Sequence, residues 1–138
     1  MIKIGLFGIG HLGKIHLRIL KGLGQYFDVV GIFDVDAMEG HRVSKEYGVP
    51  FFENAGELLS KVEAIDLVIP TPFHFEWAKT AMQHNKHVFV EKPITQTVEE
   101  SAELMSLLPK FPVVFQVGHV ERFNPAFVAA KPLLKTPE

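Results

Sequence analysis

The chain has 138 residues, 47% hydrophobic and 22% charged, which is one domain's worth of globular sequence and excludes a disordered tail or a collagen-like repeat. Its 14 Lys and Arg against 16 Asp and Glu give a formal net charge of −2, so no basic excess is present to bind nucleic acid through its phosphates. It contains no cysteine, which removes disulfides, Cys-ligated zinc, iron–sulfur clusters and a thiol nucleophile together.

Ile2 to Phe7 is a first apolar run with strand character. Gly8 to Gly13 follows as a glycine-rich turn, and Lys14 to Leu23 then carries Ile15, Ile19, Leu20 and Leu23 at helical spacing, with Gly22 and Gly24 marking the end. The opening stretch superficially imitates a short signal peptide. His11, Lys14, His16 and Arg18 interrupt it and no small-residue cleavage site follows, so it reads as mature protein. No apolar run reaches the length of a membrane span, and a cytoplasmic location without membrane contact is expected.

Phe27 to Phe33 is the second strand, rich in β-branched and aromatic residues. Asp36 and Glu39 form a capping-box pattern for a helix to about Tyr47, where Gly48 supplies the stop. Val49 to Phe52 is a brief third strand. Asn54 and Glu57 cap a short helix ending near Ser60, and Ile65 to Ile69 is a fourth strand, apolar apart from Asp66 at its start.

Thr71-Pro72 reads as an N-cap followed by proline in the first turn of a helix to about His84, ended by Asn85. His87 to Val90 is the fifth strand. Thr97 and Glu100 form a further capping box before a helix to Leu108, Val113 to Val117 is the sixth strand, and Asn124-Pro125 opens a last helix that runs out near Leu134.

Strands and helices therefore alternate, and several strands are apolar throughout, as when both faces of a parallel sheet are covered. The expected fold class is α/β. Six strands match the two halves of a Rossmann-type doubly wound sheet in the order 3-2-1-4-5-6.

Gly8-Ile9-Gly10-His11-Leu12-Gly13 is a G-x-G-x-x-G placed between a strand and a helix. The motif alone is weak, but the context gives each glycine a reason. Gly8 permits the tight turn, Gly10 lets a pyrophosphate approach the backbone, and Gly13 lets the helix pack close to the strand. The free amides around His11 and Leu12 then point at the phosphates. Asp34 lies 21 residues after Gly13, directly after the second strand, where a carboxylate accepts hydrogen bonds from the adenosine ribose. It repels a 2′-phosphate, and the nearest arginine, Arg42, sits well inside the next helix, so NAD is expected over NADP. Two other uses of these residues are an Asp34 that merely starts a turn and a site for S-adenosylmethionine, which shares the glycine turn and the acid.

Glu91-Lys92-Pro93 directly follows the fifth strand, on the rim where open parallel sheets bind ligands. A lysine there is placed to meet a substrate in front of a nicotinamide. From position alone it is equally a solvated lysine at a strand end.

With these residues assembled, the sequence resembles the N-terminal half of the Gfo/Idh/MocA oxidoreductases. The resemblance rests on Ile4 to Gly13, on Asp34, on Asp66-Leu67-Val68-Ile69-Pro70-Thr71-Pro72-Phe73-His74, and on Asn85 to Pro93. The Glu-Lys-Pro after the His-Val strand is its specific element. It implies a dehydrogenase that moves a hydride between NAD and a sugar or nucleotide-sugar hydroxyl. Lys92 would contact the reacting hydroxyl as the catalytic residue, Glu91 would lie by the nicotinamide ribose, and Lys92-Pro93 would be a cis peptide. Pro70, Thr71 and His74 would line the cofactor groove. For His74 the alternative is a helix-start histidine held by its neighbours.

Gln116 to Phe127 is similar to the version in members acting on nucleotide-activated amino sugars, of the UDP-N-acetylglucosamine 3-dehydrogenase type. Arg122 in that segment would approach the nicotinamide or a substrate phosphate, unless it is a structural arginine at a helix start. The resemblance further implies a second α/β domain that supplies most substrate contacts and much of a homo-oligomer interface. The chain ends at Glu138, so residues 1–120 are expected to be the dinucleotide-binding domain and 121–138 a crossover helix toward that second domain. Such a piece should bind NAD weakly, turn over nothing efficiently, and expose apolar surface around Phe123, Phe127, Leu133 and Leu134.

Seven histidines raise a metal site. His11 and His16 are five apart and diverge on a helix, and His84 and His87 straddle a helix end, so no metal is expected. No Ser/His/Asp arrangement, G-x-S-x-G or P-loop is present. The remaining alternative to a dehydrogenase is a non-catalytic NAD-binding sensor or scaffold, against which Glu91-Lys92-Pro93 argues, since a sensor needs no lysine at the nicotinamide.

Overall fold

The computed structural model of the protein describes residues 1–133, so the expected role of Leu134 lies outside the described residues. Twelve elements alternate along them. They are β1 (Ile2–Phe7), α1 (His11–Gly22), β2 (Phe27–Phe33), α2 (Ala37–Tyr47), β3 (Phe51–Phe52), α3 (Ala55–Lys61), β4 (Ala64–Leu67), α4 (His74–Gln83), β5 (His87–Val90), α5 (Val98–Leu107), β6 (Phe115–Val117) and α6 (Pro125–Ala130). All strand pairs are parallel and the sheet order is β3-β2-β1-β4-β5-β6, the expected doubly wound arrangement.

Burial follows the period of two along the strands. In β1, Leu6 turns to one face and packs with Ile9, Leu17, Ile32, Val43 and Val49 beneath α1 and α2. Phe7 turns to the other and packs with Leu58, Leu67, Met82, Val90 and Leu104 beneath α3, α4 and α5. Phe7, Phe33 and Trp77 form a tilted aromatic trio there, with ring centroids 5.2 to 6.0 Å apart. Beyond α1, the sheet face over β4 to β6 forms an open groove of about 550 Å³ lined by Ile19, Ala64, Phe89, Val114 and Gln116, among others.

The cap signals are realised. Asp36 accepts from the Glu39 amide, Asn54 from the Glu57 amide, and Thr97 with Glu100 makes both halves of a capping box. Gly48 ends α2 at φ +64° and Asn85 follows α4 at φ +55°. Several boundaries differ from expectation. α1 begins at His11 rather than Lys14, because Gly10 is its N-cap and Lys14 N already donates to Gly10 O at 3.1 Å. Thr71 is not an N-cap. Pro70 takes that position, and Thr71–Phe73 is a turn of 3₁₀ helix leading into α4.

β3 is shorter than expected, since Pro50 lacks an N–H and contributes only its carbonyl, to Ile32 N. β4 ends at Leu67, and β6 begins at Phe115 because Val114 N donates to the His87 ring at 2.9 Å instead of to the ladder. No described helix is long and apolar enough to cross a membrane.

Candidate functional site

The register of the sheet builds the site. Phe52, Phe33, Phe7, Leu67, Val90 and Val117 are neighbours in one row across the six strands. The next residue of each chain therefore leaves the sheet on the same rim. Those residues include Asp34, Gly8, Glu91 and Gly118, so the row brings together groups that sequence reading found separately.

Gly8 turns the chain at φ +92°, and its amide donates to Phe33 O at 2.9 Å. A Cβ at Gly8 would lie 2.5 Å from Val68 O, and one on Gly13 would lie 2.0 Å from Gly8 O. These two glycines let helix and strand meet. Gly10 differs, for a Cβ there would meet nothing within 4 Å. Its space is open, and among the described residues the amides of exposed His11 and Leu12 donate to no protein acceptor. Free amides at an open helix start fit a diphosphate.

Asp34 is half-buried and already partly engaged. Its Oδ2 accepts from Ile9 N at 2.8 Å and its Oδ1 from Asp36 N at 3.0 Å. It thus latches the glycine turn to the end of β2, a role that sequence reading did not assign. A carboxylate oxygen has further lone pairs, so acceptor capacity remains for hydroxyl groups. The cations nearby are committed elsewhere. Lys14 Nζ lies 2.8 Å from Glu39, and Arg42 binds Glu39 at 2.7 Å and Glu46 at 2.6 Å. Arg42 and Lys14 together hold the Glu39 carboxyl down at about 2.

At the ends of β4 and β5 the structure corrects one expectation. His74 does not line the groove. It is 1% exposed, with Nδ1 2.9 Å from Pro93 O and Nε2 2.8 Å from Ile69 O. It ties the segment after β4 to the turn after β5 from within. Pro70 is exposed and Thr71 half-buried on the surface above it. The Lys92–Pro93 peptide is cis.

Lys92 is exposed and shares a recess of about 600 Å³ with His119, Val120, Glu121, Arg122 and Phe127. Lys92 and Arg122 thus line the same recess. Phe123 and Phe127 are exposed beside it.

Sequence reasoning missed His16 and the use of Asp66. Asp66 is 4% exposed inside β4, and its Oδ2 lies 2.9 Å from His16 Nδ1. Burial pushes the Asp66 carboxyl up, while the hydrogen bond to Asp66 raises His16. The signal was present in the sequence, since a carboxylate inside an apolar strand is seldom buried without a partner. Among the described residues no three His, Asp or Glu side chains gather as a metal site.

The model of an oxidoreductase family with an NAD-binding Rossmann fold, Gfo/Idh/MocA, matches residues 2–119. The chain belongs to this family. Named relatives match it in sequence, and solved structures match it in fold. UDP-N-acetylglucosamine 3-dehydrogenase of Acidithiobacillus ferrooxidans is 34% identical over 125 residues, covering 91% of this chain and 39% of its own. The scyllo-inositol 2-dehydrogenase (NAD(+)) of Bacillus subtilis is 30% identical over 133 residues, covering 94% of this chain and 39% of its own. A crystal structure of scyllo-inositol dehydrogenase from Lactobacillus casei, with bound NAD(H) and scyllo-inositol, superposes with a TM-score of 0.88 at 31% identity, covering 96% of this chain and 40% of that one. The chain thus spans about two-fifths of the length of these Gfo/Idh/MocA relatives.

Proposed function

We propose that this chain holds NAD for a dehydrogenase that moves a hydride between the cofactor and a hydroxyl of a sugar or nucleotide sugar. The observation that carries the reading is the common row of strand ends, which sets the glycine turn, Asp34 and Glu91-Lys92 on one rim. Membership of an NAD-binding oxidoreductase family supports it, as do the substrates named for its relatives.

In this reading the amides of His11 and Leu12 hold the diphosphate, with Gly10 leaving room and Gly8 and Gly13 shaping the turn. Asp34 accepts the adenosine ribose hydroxyls with the lone pairs its latch leaves free. Pro70 and Thr71 edge the groove. Glu91 faces the nicotinamide ribose. Bound NAD supplies the hydride acceptor. Lys92 Nζ would hydrogen-bond the reacting hydroxyl and, as the neutral amine left after its ammonium gives a proton to solvent, would take up the hydroxyl proton, beside the cis bond to Pro93. Arg122, across the same recess, holds a negative group of the nicotinamide end or of the substrate.

The test is a thermal-shift and calorimetric titration of the chain with NAD, NADP and S-adenosylmethionine. NAD should stabilise the fold by mass action, and S-adenosylmethionine should not. Asp34→Ala should cut the preference for NAD over NADP by about tenfold or more, as one lost charge-selective contact implies. A preference that survives this substitution removes the ribose role from Asp34, and stabilisation by S-adenosylmethionine alone removes the dehydrogenase reading.

A further inference from the structure

Two members of a polar cluster at the sheet rim, His16 and Asp66, have no part in the binding scheme above. His16 lies on α1, one turn past Gly13, and is half-buried. Its Nδ1 is 2.9 Å from Asp66 Oδ2, and its Nε2 is 3.4 Å from Glu91 Oε1. Glu91 Oε2 in turn accepts from Lys92 N at 3.1 Å. Gly118 closes the remaining side, where a Cβ would lie 2.7 Å from Glu91 Oε1. The Glu91 side chain is 14% exposed, so little solvent is left to set its direction. The ring, the amide and the glycine set it instead.

We propose that His16 is a positioning residue for the cofactor site: anchored on Asp66 by one ring nitrogen, it holds the Glu91 carboxylate with the other, presetting that carboxylate for the nicotinamide ribose. This rests on the NAD reading above. The arrangement uses both nitrogens of one imidazole to join α1 to the ends of β4 and β5. A histidine needed only to neutralise Asp66 would require one. Among the described residues the buried Asp66 Oδ1 atom has no hydrogen-bond partner, and the one side chain bonded to this aspartate is His16.

The bridge needs both ring N–H groups, because each faces a carboxylate oxygen. The hydrogen bond to Asp66 raises the ring's proton affinity, and Glu91 adds to it, against the opposing effect of burial. The groups facing His16 are Asp66 from β4, Glu91 from the end of β5 and the edge-on ring of Phe89 at 5.9 Å. His87 and Gln116 line the groove beyond it. Above the ring's titration the hold on Glu91 should fail.

The experiment compares NAD with ADP, which keeps the adenine ribose and diphosphate but lacks the nicotinamide ribose. His16→Gln should weaken NAD by at least about tenfold while leaving ADP within about twofold of wild type, as loss of one charge-assisted contact predicts. Gly118→Ala displaces the flexible end of Glu91, pressing less on the Phe89 ring, and keeps the His16 imidazole in place of removing it, so it should produce the same split. In wild type the NAD affinity should fall as pH climbs through the His16 titration, and in His16→Gln it should stay flat there.

Nitrogen-detected NMR of the His16 ring reads the bridge without any nucleotide. Its titration should move to lower pH in Glu91→Gln. An identical titration in both proteins means no bridge and overturns the proposal. So does an equal loss of NAD and ADP, which marks a purely structural histidine, or no loss of either. Failure of wild type to bind both nucleotides removes the cofactor reading, and the proposal with it, even where the ring titration shows the bridge intact.

Discussion

Two of the three glycines of the turn, alike in sequence, carry opposite physical demands. Gly13 has no room, with a Cβ 2.0 Å from a backbone oxygen that cannot swing aside. Gly13→Ala should destabilise the fold by roughly 1–3 kcal/mol in denaturant unfolding, as overpacking against backbone does. Gly10 has open space, where a methyl group would meet no protein atom within 4 Å. Gly10→Ala should therefore change stability by less than about 0.5 kcal/mol and yet weaken NAD in calorimetry, since the new methyl group stands where the diphosphate approaches. Equal stability losses in both variants would contradict this division. The glycine turn and the place of Asp34 at the end of β2 were legible because their reasons are local, although the latch Asp34 makes to Ile9 was not. His74 was not. Its partners are two backbone carbonyls, and only the folded chain shows that Ile69 O and Pro93 O face each other across its ring.

At the level of the element, legibility tracked how local the determining contacts are. The helix starts at Asp36, Asn54 and Thr97 needed only side chains three residues from the amides they cap, and each formed as read. Thr97 is the sharpest case, with Glu100 closing the reciprocal bond. Thr97→Ala should cost about 1 kcal/mol by chemical denaturation, the usual worth of an N-cap, while NAD binding stays at the wild-type level because no residue of α5 is placed in the proposed cofactor site. Strand ends were less legible, because a ladder is decided by its neighbour. Val113 and Val114 have strand composition, but the His87 ring takes the Val114 amide and shortens β6. The short helix start at Thr71 went astray because proline at Pro70 fixes the backbone one residue early.

The whole molecule should answer to pH through its buried pair. Both His16 and Asp66 bind protons more tightly when folded than their ordinary values of 6.5 and 3.8 allow. A native state that holds more protons than the unfolded chain loses stability as pH rises. The Asp66 contribution is fullest below 3.8 and fades through its raised titration. That of His16 is full below 6.5 and fades as pH passes the raised value. Glu39 works the other way, contributing above 4.5 and losing its part as pH falls toward about 2. The denaturation midpoint should therefore decline on the alkaline side of 6.5, and His16→Gln should flatten that decline. A midpoint that climbs through this range in wild type would refute the pairing.

Strand order was readable because six alternating strands match the two halves of the doubly wound dinucleotide-binding pattern, whose order reverses after the third strand. That order has a consequence for biogenesis. β1 lies between β2 and β4. Of these six strands the first to leave the ribosome is thus an inner one, and one of its edges stays bare until Ala64–Leu67 has been synthesised and released from the exit tunnel. During that interval an apolar ribbon is open to mispairing with other nascent chains, and this is when a chaperone would matter most to its yield.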